Sequence, residues 1–217
     1  MMMSDKLFCT SKYSFIAHSK KTTLMPVGID TSIFKKQGDI QKQDNSVLFL
    51  ARIAPSKKPD LVIESLKKLH DLKTNFSADF YGNPQPKDFN YFESLKAKVA
   101  EYGLTEKIKF QKGIPNKETP TIYGRHVIFI NPSPSGMYDK TIFEAMACES
   151  LVLTSNLNLK GQIDDMFLFT ENDAVDLTKK LNILLNLDIE TKEKYGKILR
   201  NYVIENHSLQ ELFQNFF

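Results

Sequence analysis

The stretch Asn131-Pro-Ser-Pro-Ser-Gly-Met-Tyr-Asp-Lys-Thr-Ile-Phe-Glu-Ala-Met-Ala-Cys-Glu-Ser150 decides how the whole chain is read. An apolar run, Val127 to Ile130, enters it as a strand. Two prolines and a glycine break that strand, and Thr141 to Cys148 resume as a helix. A strand that stops in such a loop and restarts as a helix leaves several backbone N–H groups without intrahelical acceptors, at the end where the macrodipole is positive. The expectation is an anion site, and specifically one for phosphate.

Upstream, Ser46 to Ala51 is a nearly continuous apolar run, as expected of a parallel strand buried on both faces. Arg52 follows, then a turn with Lys57 and Lys58, then Pro59 at the start of a helix with Leu61, Val62, Ser65, Leu66 and Leu69 at helical spacing. A second unit runs from strand Ser77 to Tyr81 through Gly82-Asn-Pro to a helix over Phe89 to Tyr102. Ile108 to Gln111 is a third strand, followed by Gly113-Ile-Pro and a short helix around Glu118 to Tyr123. Downstream, Leu151 to Thr154 predicts a fifth strand and Met166 to Phe169 a sixth. Three helical patterns follow: Asp173 to Leu187, Thr191 to Glu205, and Leu209 to Phe217, the last with Ser208 and Glu211 in capping-box spacing. This rhythm predicts an α/β fold with one doubly wound parallel sheet, whose ligands bind at the carboxyl ends of the strands.

At 217 residues and 41% hydrophobic content the chain can bury a good core, yet two full domains would be a squeeze. A formal charge of +3, with the lysines and arginines spread out, gives no support to nucleic-acid binding. Such a surface suits an anionic donor or a peripheral contact with an anionic membrane face, and equally an ordinary solvated exterior. Cys9 and Cys148 are far apart and lack metal-ligand spacing, which fits a reduced, cytoplasmic compartment with Cys148 as a small core residue. The start has no basic region followed by a long apolar run, and no segment reaches bilayer length, so neither signal peptide nor transmembrane helix is expected. None of His18, His70, His126 and His207 stands in a recognisable site, and no nucleophile elbow, metal cluster or Walker loop is present.

Ile142-Phe-Glu-Ala-Met-Ala-Cys148 closely resembles the signature helix of glycosyltransferase family 4, the retaining, nucleotide-sugar-dependent transferases of the GT-B fold. Pro26-Val-Gly-Ile-Asp30 followed by Phe34 resembles that family's interdomain linker. The resemblance implies that residues 1–34 are a remnant of a first domain plus linker, and that residues 35–217 are the Rossmann-like, nucleotide-sugar-binding domain with extra C-terminal helices. It also implies a final helix that crosses back toward the first domain, leaving the face of Leu209, Leu212, Phe213, Phe216 and Phe217 without its native partner.

For the site, the resemblance implies that Glu144 holds the donor ribose and that the backbone near Lys140, Thr141 and Ile142 faces the diphosphate. Arg52 and Lys57 would clamp that diphosphate, since a guanidinium fork and a nearby ammonium stabilise the leaving nucleotide. Gly82, Gly113, Ile114, Ser135 and Gly136 would lie near the base and sugar, though Gly82 and Gly113 read equally well as plain turns. The family's first glutamate falls at Gly136, which has no carboxylate. Asp139 is the tentative replacement as a catalytic group, its rival reading being a plain helix N-cap. Lys58 and Glu149 stand where the family favours glycine, and Leu151 where it favours proline.

The function so implied is transfer of a sugar from a nucleotide-diphosphate sugar to a glycan or lipid-linked acceptor, with no cofactor or required metal. This chain would supply the donor-binding half, inactive alone, and a separate N-terminal-domain polypeptide would complete it. The alternatives are a degenerate fragment, a nucleotide-sugar epimerase and a non-catalytic donor-binding subunit.

Overall fold

In the computed structural model, which describes residues 4–38, 40–136 and 138–215, the chain opens with two short parallel strands, β1 (Leu7–Cys9) and β2 (Thr22–Leu24). The main sheet follows: β3 (Gln43–Leu50), β4 (Ser77–Tyr81), β5 (Ile108–Gln111), β6 (His126–Asn131) and β7 (Leu151–Thr154). All its pairings are parallel and the spatial order is β5-β4-β3-β6-β7. The chain therefore lays strands outward from β3 to β5, crosses back, and continues from β6 to β7 on the other side. That reversal falls between β3 and β6, the place where open α/β sheets bind ligands.

The apolar runs have a direct cause in this arrangement. Every residue of β6 and β7 is buried, because helices cover both faces. Rings stack through the sheet, with Phe49 and Phe80 at 5.2 Å and Phe80 and Phe110 at 5.4 Å between centroids. The helices are α1 (Pro59–Asp71), α2 (Phe89–Glu101), α3 (Thr119–Arg125), α4 (Lys140–Ala147), α5 (Ala174–Leu185), α6 (Ile189–His207) and α7 (Leu209–Gln214). Helix α1 packs on α2 and α5, while α4 packs on α3 and α6.

The predicted sixth strand is a correction. Asp164 accepts from the Met166 N–H at 2.8 Å and caps a 3-10 turn over Asp165–Phe167, so only Leu168 bridges to Thr154. A local carboxylate cap competes with the sheet for the same backbone and wins there. Strand β3 also starts earlier than Ser46, because Gln43 already pairs with His126.

Both positions where the resembled family favours glycine take the left-handed conformation, Lys58 at φ 51° and Glu149 at φ 59°. After α4 the Glu149 N–H bonds to the Met146 carbonyl at 2.9 Å and the Ser150 N–H to the Ala145 carbonyl at 3.0 Å, a Schellman termination. Each side chain there costs roughly 1 kcal/mol relative to glycine. Leu151 simply begins β7, paired with Ile128.

The segment after β2 is tied to the end of the chain. Ile29 N–H donates to the His207 carbonyl at 2.8 Å, and Leu209 N–H donates back to Ile29 at 2.9 Å. Ser208 caps α7 by accepting from Glu211 N–H at 3.2 Å. The final helix is consequently less bare than the sequence implies: Leu212 lies so close to Gly28, at φ +74°, that a β-carbon there would sit 2.6 Å from Leu212 Cδ2. Phe213 stays 61% exposed, and Phe216 and Phe217 lie outside the described residues. Among the described residues no helix is long and apolar enough to cross a membrane.

Candidate functional site

The loops that leave β3 and β6 meet at the reversal of strand order, and their side chains form the site. Strand β6 ends at Asn131, whose Oδ1 accepts from the Ser133 N–H at 3.0 Å while its Nδ2 donates to Thr141 Oγ1 at 3.1 Å. This local turn fixes both ends of the Pro/Ser/Gly loop. Helix α4 then starts from Asp139, which accepts from Thr141 N–H at 3.3 Å and from Thr141 Oγ1 at 2.8 Å. Asp139 is therefore the N-cap. Its second oxygen is engaged as well: Lys57 Nζ donates to Oδ2 at 2.7 Å, and Ser133 Oγ stands 3.3 Å from the same atom. Burial pushes the Asp139 carboxyl up, but the hydrogen bond and charge of Lys57, with Thr141, outweigh it and hold it below the ordinary carboxylate value.

Ser56, Lys57, Ser133, Gly136, Asp139 and Lys140 line a cleft of about 650 Å³ together with Pro134 and Tyr138. Lys140 is exposed and, among the described residues, its side chain makes no hydrogen bond or ion pair. Gly136 leaves open space, since a β-carbon there would meet nothing within 4 Å.

Several expectations need correction. Thr141 N–H is taken by Asp139, Ile142 N–H donates to the Asp139 carbonyl at 3.1 Å, and Ile142 itself is wholly buried. The helix start thus offers an anion the Lys140 ammonium and, in competition with Asp139, that of Lys57, and not the Thr141 and Ile142 amides. Ser135 does not face the cleft: its Oγ accepts from Leu157 N–H at 2.8 Å and its carbonyl accepts from Ser11 Oγ at 3.0 Å and Asn158 Nδ2 at 2.8 Å. Ser133 takes the place by the cleft instead. Arg52 and Lys57 line two separate hollows. Arg52 lines a neighbouring one of about 220 Å³ with Tyr81, Gly82, Asn83, Gly113 and Ile114. Gly82 has a packing reason there, because a β-carbon would stand 1.9 Å from the Ala51 carbonyl oxygen.

Glu144 lies one turn into α4, 6% exposed. Asn116 Nδ2 donates to its Oε1 at 3.2 Å and the Tyr123 hydroxyl to its Oε2 at 3.1 Å. Burial raises its carboxyl above the ordinary value, and those two donors offset this only in part. Sequence reasoning missed Asn116 and Tyr123, since partners 28 and 21 residues away carry no local signal. It also missed Arg200, whose guanidinium binds the Phe34 carbonyl at 2.9 Å and the Ala147 carbonyl, tying the linker and the end of α4 to α6.

The histidines are structural where they are buried. His126 bridges the Ile122 carbonyl at 2.8 Å and Asp79 at 3.0 Å, and His207 fills the junction of linker and C-terminal helices. Cys148 is a core residue whose thiol burial pushes up to about 12.

A five-stranded parallel sheet with loops meeting at its switch point, together with its likeness to solved structures, gives this chain the fold of the Rossmann-like C-terminal domain of GT-B proteins. The chain belongs to the family described as glycosyl transferases group 1, whose sequence model matches residues 30–202. It is similar to the D-inositol 3-phosphate glycosyltransferase of Acidothermus cellulolyticus, 24% identical over 154 residues that cover 65% of this chain and 34% of that protein. It is also similar to the D-inositol 3-phosphate glycosyltransferase of Frankia alni, 23% identical over 152 residues covering 64% and 37%. Both coverages show that the chain spans less than half the length of these curated relatives. Among solved structures, Anabaena HepE in complex with UDP and glucose matches with a TM-score of 0.86 at 16% identity, over 98% of this chain and 62% of that one. The C-terminal domain of a group 1 family protein (LpcC) from Francisella tularensis matches with a TM-score of 0.74 at 21% identity, over 84% of this chain and 100% of that one.

Proposed function

We propose that this chain is the donor-binding half of a retaining, metal-independent glycosyltransferase that moves a sugar from a nucleoside diphosphate sugar to a glycan or lipid-linked acceptor. The observation that carries this reading is the meeting of the β3–α1 and β6–α4 loops at the switch point, with Lys57 and Lys140 around the start of α4 and Glu144 one turn in. The complex of HepE with UDP and glucose supports a nucleotide sugar as the ligand.

In this reading Lys57, Lys140 and Arg52 hold the diphosphate. Positive charge fixed where the leaving group gathers negative charge lowers the barrier to breaking the sugar–phosphate bond. Glu144 accepts from the ribose hydroxyls, the base lies by Arg52, Gly82 and Ile114, and the sugar extends past Gly136 toward Asp139. Residues 35–217 are the donor domain, and residues 1–34 lead into it from a first domain through its linker. The protein works in the cytoplasm, with a peripheral contact at an anionic membrane face.

In this reading the acceptor wall belongs to a first domain, which positions the acceptor for attack. A second reading, a donor-binding subunit without chemistry of its own, is favoured by one observation: Gly136 brings no carboxylate to the cleft. The test is a transfer assay with UDP-, GDP- and ADP-sugars and candidate acceptors, on the chain alone and with a separately expressed first domain. Transfer with retained anomeric configuration only in the combination is expected. Transfer by the chain alone overturns the half-enzyme reading, and donor binding without transfer in the combination favours the second reading.

A further inference from the structure

Glu144 is held from behind by residues that no motif contains. Tyr123 on α3 is wholly buried, its ring edge-on to Phe129 at 5.5 Å and its carbonyl fixed by Ser150 Oγ at 2.7 Å, so its hydroxyl has one place to go. It donates to Glu144 Oε2 at 3.1 Å, while Asn116, exposed at the start of the turn before α3, donates to Oε1 at 3.2 Å. An ionised carboxylate offers about four acceptor directions. Tyr123 and Asn116 take one on each oxygen, which leaves one on each oxygen for a diol.

We propose that Tyr123, assisted by Asn116, is a positioning residue that fixes the Glu144 carboxylate so that its two remaining lone pairs accept from the two hydroxyls of a ribose. This rests on the ribose assignment above and extends it to groups that never touch the ligand. A carboxylate free to rotate would meet a diol with one oxygen at a time, and preorganisation removes that cost.

The same contact favours the charged form of Glu144 against the effect of burial. Burial favours its protonated form, and a protonated acid has lost acceptor capacity for the diol. The groups that face it are Asp139, which raises its pKa, Lys140, which lowers it, and the donors Asn116 and Tyr123; Cys148 lies nearby at the C-terminal cap of the same helix. Tyr123 stays protonated throughout, since burial first and then the Glu144 charge raise its own pKa well above the ordinary value. Removing its hydroxyl deletes a donor to the charged form, so Glu144 ionises at higher pH.

The experiment is calorimetric titration of the chain with UDP, GDP and ADP in turn, across pH, for wild type, Tyr123→Phe, Asn116→Ala and Glu144→Gln, with inorganic pyrophosphate as the ribose-free control. Phenylalanine keeps the ring packing. Tyr123→Phe is expected to weaken the bound nucleoside diphosphate about tenfold near neutral pH, to move the acid limb of binding upward, and to leave pyrophosphate unchanged. Asn116→Ala, at an exposed position, is expected to show the same signature to a smaller degree, and decides the matter should Tyr123→Phe not fold. Unaltered affinity and acid limb in both variants, while Glu144→Gln loses nucleoside diphosphate, overturns the positioning role alone. Wild-type binding by Glu144→Gln overturns the ribose assignment and the positioning role with it.

Discussion

Lys57 and Asp139 stand 2.7 Å apart, so the ammonium assigned to a diphosphate is already neutralised by the residue that caps the helix. A nucleoside diphosphate must win Lys57 from a monovalent carboxylate, and its greater negative charge favours it in that competition. Lys57→Met is expected to weaken nucleoside diphosphate and to raise the pKa of Asp139 toward the ordinary value. Asp139 is depressed in the fold, so its stabilisation is present above the ordinary carboxylate value near 3.8 and is lost as pH falls through the lower, folded one. In wild type, stability should therefore fall across that window, and in Lys57→Met the fall should be shallower. Melting temperature against pH reads both.

Arg52 lines the hollow beside the cleft and, among the described residues, has no ion-pair partner. Arg52→Ala is expected to weaken nucleoside diphosphate by about 1.5–3 kcal/mol while leaving the nucleoside nearly untouched, because it deletes a charge-assisted contact. Glu144→Ala should weaken both, since the ribose is common to them. Equal losses for both ligands in Arg52→Ala would take the arginine out of the diphosphate clamp.

What was legible in the chain follows from how local each cause is. The strands Ser77 to Tyr81, Ile108 to Gln111 and Leu151 to Thr154 fall where the apolar runs put them, because burial on both faces writes itself directly into composition. The left-handed turn at Glu149 was readable from the glycine it replaces. The supposed strand at Met166 was not, since an Asp164 cap and a strand compete over the same few residues and the outcome depends on what lies beside them. Within the site, Lys57, Asp139 and Lys140 lie around one cleft, while Ser135 turns away and Ser133 lines it, held so by Asn158 and Ser11 far off in sequence. The support of Glu144 by Tyr123 is likewise tertiary, invisible to spacing.

The glycines divide by what surrounds them. Gly136→Ala should change stability by no more than about 0.5 kcal/mol, because nothing lies within 4 Å of the added carbon. Gly82→Ala should cost more than about 2 kcal/mol, since the carbon would overlap the Ala51 carbonyl and the rigid strand end must move. Chemical denaturation compares them, and a tolerated Gly82→Ala would mean that the loop beside Arg52 is softer than its geometry.

His207 gives the chain a second acid-sensitive joint. Its Nδ1 accepts from Val27 N–H at 3.4 Å, its Nε2 lies 3.1 Å from the Tyr202 hydroxyl, and the Phe143 ring is 4.4 Å away. Burial lowers its pKa to about 4. The unfolded chain takes its proton first, near 6.5, so stability should fall as pH drops from 6.5 toward 4, by up to roughly 3 kcal/mol. His207→Gln should flatten the melting profile in that window, and an unchanged profile would place the loss elsewhere.

The most direct measurement is the melting temperature of the purified chain titrated with UDP, GDP and ADP, each beside its nucleoside and inorganic pyrophosphate. The account predicts that one nucleoside diphosphate raises it, with about 2.7 kcal/mol of stabilisation at a hundred times its dissociation constant, and that neither fragment alone matches it. No shift with any of the three at millimolar concentration would contradict a donor site at the junction of β3 and β6.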